Sequence, residues 1–158
     1  MRTPSPAPAI PIAAPADSLP AGLPQVLDTV WGALARGVQE RWTPWALPML
    51  ATVGSRGQPE ARVIALRGAD REARTLTFHT DVRSAKAGAL AAERRAAVTF
   101  WDPGDAVEAR FTGRVTVHHE DDLALACWQD ASALSKSAAA IALAPGTPLT
   151  RATPFEQL

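Results

Sequence analysis

The residues best suited to chemistry stand close together in Phe78-His-Thr-Asp-Val-Arg-Ser-Ala-Lys86. Thr80 and Ser84 offer hydroxyl groups, and Arg83 and Lys86 add positive charge at the same place. The pattern ends a strand at Thr80 and opens a helix near Ser84. A helix start leaves backbone N–H groups without intrahelical partners and carries the positive end of the helix dipole, so it suits an anion. A monophosphate is the simplest ligand for such a set. The plainer alternative is that Ser84 caps a helix while the cations are solvated, and residue types alone favour it.

A second stretch is Arg62-Val-Ile-Ala-Leu-Arg67. Strand side chains alternate between faces, so Arg62 and Arg67 are expected on opposite sides. Arg62 would join the phosphate site and Arg67 would face another space. Standing alone, the stretch reads better as a buried strand with an arginine at each wet end. His118-His119 before Glu120-Asp121-Asp122 raises a metal site, but neighbours on a strand point apart and no second histidine cluster has ligand spacing. These histidines are expected at a strand end and a helix entry. No Gly-x-Gly-x-x-Gly or P-loop pattern occurs, and Ser135, Lys136 and Ser137 lack the partners of a serine nucleophile.

The elements that must position these residues follow from spacing and turn signals. Val26, Leu27, Val30, Trp31, Leu34 and Val38 predict a helix over Pro24–Arg41, ended by Trp42-Thr-Pro-Trp45. Strands are expected at Leu47–Val53, Arg62–Arg67, Thr75–Thr80, Ala96–Trp101 and Ala106–His118, with Gly68–Arg74 as a loop. Ser84–Arg95 is rich in helix formers, and acidic residues from Glu120 favour another helix start. Ser132–Leu143 reads as a last helix. Short turns between strands point to an antiparallel sheet or barrel, hence a mainly β fold with flanking helices.

The 158 residues fit one domain, expected over 24–158 after a proline- and alanine-rich tail over 1–23. Sixteen basic residues balance sixteen acidic ones, which argues against a general nucleic-acid binder while allowing a local phosphate site. No apolar stretch has the length of a membrane span. A single cysteine, Cys127, excludes an internal disulfide and fits a cytoplasmic protein.

In series these stretches resemble the pyridoxamine 5'-phosphate oxidase family. The resemblance rests on Arg62-Val-Ile-Ala-Leu-Arg67, Phe78-His-Thr-Asp81, Ser84-Ala-Lys86, Val98-Thr-Phe-Trp101 and Glu108-Ala-Arg-Phe-Thr-Gly113, and runs from about Trp42 to Val117. It implies an antiparallel split β-barrel of the FMN-binding type. It also implies a homodimer with FMN at the subunit interface and an oxidoreductase of unknown small-molecule substrate. Arg62, Arg83, Ser84 and Lys86 would hold the FMN phosphate. The backbone of Val63, Ile64 and Ala65 would line the ring, with His79 and Thr80 nearby. Glu108 stands where relatives often carry a glutamine that contacts the flavin, and Arg67 matches the basic residue that grips a substrate phosphate.

The sequence departs from the family pattern in places. Ala85 replaces a common basic residue, and Glu108 is charged where a neutral amide is usual. The Cys127–Ser137 stretch lacks the tyrosine and arginine of the substrate-phosphate grip, and the chain has no tyrosine. Relatives continue past Leu158 with strands that close the barrel, so those strands are expected to be missing. These departures leave vitamin B6 synthesis unsupported. They keep open a non-enzymatic module that binds flavin or another cofactor, or a dimer module whose site is degenerate.

Overall fold

The computed structural model describes residues 22–148; nearly all of the expected tail lies outside them. Apolar residues at helical spacing form α1, Leu23–Gln39, with a proline in its first turn. A short 3-10 turn, Pro44–Ala46, follows. Gly37 lets α1 and this turn meet, because a Cβ there would lie 2.5 Å from the Trp45 carbonyl oxygen.

Among the described residues six strands form two sheets: β1 (Met49–Val53), β2 (Pro59–Val63), β3 (Leu66–Asp70), β4 (Thr75–Phe78), β5 (Arg95–Asp102) and β6 (Val107–Arg114). The first sheet has the order β2-β1-β5-β6 and the second is the hairpin β3-β4. Every pairing is antiparallel. Together with α2 (Ala85–Ala92), α3 (Asp122–Asp130) and α4 (Ala133–Ala139), this is an α+β molecule. Among the described residues its sheets do not close into a full barrel.

One expected strand is two. The run Arg62–Arg67 breaks at Ile64–Ala65, where the chain leaves the first sheet for the second. Ile64 makes the break tolerable by donating its N–H to the Pro48 carbonyl (3.0 Å) and burying its side chain. The expected loop Gly68–Arg74 correspondingly contributes its first residues to β3. The last strand is shorter than expected, and its partner is β5, in register from Arg95↔Arg114 to Asp102↔Val107.

The core lies between the inner face of the first sheet, α1 and β3. Leu34, Leu66 and Phe100 are almost wholly buried there, beside Leu50, Ile64 and Val98. Trp45 stacks on Phe100 at 5.5 Å, and Phe100 meets Phe111 edge-on at 5.8 Å. The Trp45 indole N–H is satisfied by the Asp102 carboxylate at 2.9 Å.

Candidate cofactor site

Register decides which side chains share a face. Arg62 sits opposite Leu50, and Leu50 opposite the buried Val98, so Arg62 belongs to the inner face of the first sheet. Its guanidinium donates to the buried Thr52 hydroxyl at 2.6 Å and pairs with the Glu60 carboxylate at 2.7 Å. Glu60 is two residues away on the same face, and Thr52 is its cross-strand partner. Arg62 is thereby fixed in direction, with Nε still unengaged among these contacts.

The loop between β4 and α2 supplies the rest. The Lys86 ammonium donates to the Thr80 hydroxyl at 3.0 Å, and Thr80 lies 3.4 Å from the Ser84 hydroxyl. Burial first, and the Arg62 charge second, hold Lys86 below the usual lysine range, while Asp81 pulls the other way. The two cations are therefore close enough to repel. Ser84 occupies the N-cap position but caps nothing: its hydroxyl donates to the Asp81 carbonyl at 2.6 Å. At the start of α2 the Ala87 N–H donates to the Ser84 carbonyl at 3.0 Å, which leaves the Ala85 and Lys86 N–H groups to add to the donor set.

The remaining predicted residues lie elsewhere around this group. Arg83 forms an ion pair with Asp81 at 2.6 Å and turns its other donors to carbonyls just beyond and at the end of α4. The Arg67 charge acts on His79 instead: partial desolvation and then Arg67 hold the imidazole below its ordinary pKa, and Asp130 of α3 opposes them. Val63 is exposed, Ala65 half-buried and Ile64 buried. Since Ile64 turns its N–H toward β1, antiparallel alternation leaves the Val63 N–H and C=O at the open edge of β2.

Glu108 is on the other side. It pairs with Trp101 on the outer face of the first sheet and lies 3.5 Å from Arg110. From β6 to β2 is three strand spacings, roughly 14 Å. Within one chain the structure thus brings together Arg62, Thr80, Ser84 and Lys86 but not Glu108.

Thr52 and Glu60 were not singled out in the sequence. The signal that would have found them is parity: both share the face of Arg62 once the hairpin register is known.

Residues 29–119 match the family model for the pyridoxamine 5'-phosphate oxidase FMN-binding domain. The chain belongs to this family. A pyridoxine/pyridoxamine 5'-phosphate oxidase from Pseudomonas syringae pv. tomato is 46% identical over 66 residues, which is 42% of this chain and 30% of the relative. The Pseudomonas putida enzyme of the same name is 37% identical over 94 residues, 60% of this chain and 43% of the relative. The chain therefore matches less than half the length of these curated relatives.

Among solved structures, a pyridoxamine 5'-phosphate oxidase-related, FMN binding protein from Nostoc punctiforme aligns with a TM-score of 0.64 at 26% identity. The alignment covers 77% of this chain and 66% of that one. PhzG from Burkholderia lata, solved in complex with tetrahydrophenazine-1-carboxylic acid, aligns with a TM-score of 0.54 at 22% identity, covering 73% and 55%. At that identity the likeness is one of fold. Among the described residues no helix is long and apolar enough to cross a membrane.

Proposed function

We propose that this chain binds FMN as a homodimer and acts as a flavin-dependent oxidoreductase on a small molecule of unknown identity. The observation that carries the reading is the Lys86 ammonium on the Thr80 hydroxyl, beside the Ser84 hydroxyl and the start of α2, with the Arg62 charge near enough to repel Lys86. A phosphate monoester relieves that repulsion and accepts from every donor in the set. The donor chemistry therefore fits FMN. Arg62, Thr80, Ser84 and Lys86 hold the phosphate, and Ser84 exchanges its bond to the Asp81 carbonyl for one to the ligand. The open edge of β2 at Val63, with Ala65 beyond it, lines the ring.

Bound flavin would supply the redox chemistry, and the protein supplies binding and orientation. Arg67 and His79 lie on the substrate side, where His79 is neutral near pH 7 and can accept a hydrogen bond or a proton. Glu108 reaches the same flavin only from a second copy, because its own chain places it on the opposite face.

The test is a double variant, Arg62→Ala with Lys86→Ala. FMN affinity is expected to fall by at least about a hundredfold, while affinity for riboflavin, which lacks the phosphate, changes little. Unchanged FMN affinity in the double variant overturns the site assignment.

A further inference from the structure

Arg83 sits in the loop that builds the phosphate cradle, yet each nitrogen of its guanidinium meets an acceptor of the protein. Nε donates to Asp81 at 3.0 Å, and one terminal nitrogen donates to Asp81 at 2.6 Å, to the Ala139 carbonyl at 3.1 Å and to the Ile141 carbonyl at 3.0 Å. The other terminal nitrogen reaches the Ala142 carbonyl at 3.4 Å. Carbonyls at the end of a helix lack intrahelical donors, and a cation there also opposes the negative end of the dipole. Arg83 therefore closes the end of α4 from a site more than fifty residues earlier in the chain.

Little else described holds this part of the molecule down. No residue of α3 is buried, and Leu123, Leu125 and Trp128 remain about half exposed. The same helix carries Asp130, whose charge acts on His79. The placement of α3 and α4 thus reaches the Arg67 and His79 side, and Arg83 joins that placement to the loop bearing Thr80 and Ser84.

We propose that Arg83 is a positioning residue: a latch that fixes the α3–α4 pair to the cradle loop through the Ala139, Ile141 and Ala142 carbonyls, and not a ligand of the phosphate. It rests on the flavin reading only for the identity of the ligand. Ordering either side of the latch orders the other, so cofactor binding and docking of the helical pair favour one another. Arginine is required because its planar fork reaches a carboxylate and several carbonyls at once, which a lysine ammonium does not.

The experiment compares wild type with Arg83→Ala, Arg83→Lys and Asp81→Asn. It uses hydrogen exchange of α4 amides in the flavin-free chain and titrations with FMN and riboflavin. The latch predicts α4 exchange faster by about tenfold in all three variants, Asp81→Asn serving if the Arg83 variants fail to fold. It also predicts that Arg83→Ala and Arg83→Lys weaken FMN and riboflavin by a common factor, leaving their ratio unchanged. Unaltered α4 exchange overturns the proposal. So does a loss confined to FMN that Arg83→Lys restores, which marks Arg83 as a phosphate ligand. A wild-type chain that binds neither flavin contradicts the cofactor reading, and the exchange result then decides on the latch alone.

Discussion

Arg62 is held on the inner face of its sheet by two partners of different character. Glu60 is a partly exposed ion pair, of a kind that contributes little by itself. Thr52 is buried and accepts a short hydrogen bond, so it sets the direction of the guanidinium. Thr52→Val keeps the shape and removes the acceptor. It is expected to cost about 1 kcal/mol of stability and to weaken FMN binding by about tenfold, measured by denaturant unfolding and flavin titration. His79 gives a pH dependence whose sign is fixed. Its folded pKa is lowered by burial and by Arg67, so the unfolded chain binds the proton more readily. Stability therefore falls as pH drops through the ordinary imidazole value of 6.5. His79→Gln should shrink the difference in melting temperature between pH 7.5 and pH 5.5, to about the level set by the remaining groups. The grouping of Thr80, Ser84 and Lys86 was legible in the sequence because one strand end and one helix start hold all three, although their types alone favoured a plain helix cap. Thr52 was not, because a threonine inside a strand has the same type whether it packs or anchors an arginine.

The elements were legible wherever turns were marked by glycine, proline or acidic residues. The hairpins, α1 and α2 fall close to their expected places. The break between β2 and β3 was hidden because Val63–Leu66 is apolar throughout, and an apolar run carries no sign of a change of sheet. What changes there is hydrogen bonding: Ile64 donates to Pro48, and Leu66 pairs with Phe78 past a register shift. That break matters for function. It leaves Arg62 on the sheet that faces the cradle while Arg67 is the second residue of a hairpin whose far strand ends beside His79. Sheet membership, rather than alternation along one strand, separates the two arginines. The role of the α3–α4 pair was also hidden, since Arg83 meets carbonyls more than fifty residues away.

At the scale of the molecule, the first sheet has one face in the core and, among the described residues, one without cover. Met49 and Val63 lie opposite each other on that outer face, in the same row as Thr99, and Trp101 follows along β5. Met49 is 49% exposed, Val63 59% and Trp101 55%, which is a large apolar share for one sheet face open to water. A second copy meeting this face around a two-fold axis would bury it and carry Glu108 toward the other chain's flavin. Met49→Arg places a charge at its middle. It is expected to convert a dimer to a monomer in sedimentation and to weaken FMN binding by about tenfold or more. A variant that remains dimeric with full FMN affinity would place the interface elsewhere.

The most direct measurement is a titration of the wild-type chain with FMN and with riboflavin, followed by flavin fluorescence and visible absorption. Saturable quenching of FMN is expected at equal amounts of flavin and chain, with riboflavin bound more weakly by at least about a hundredfold because it lacks the phosphate that Arg62 and Lys86 hold. Equal affinity for the two flavins, or no change in either spectrum, would contradict the cofactor reading.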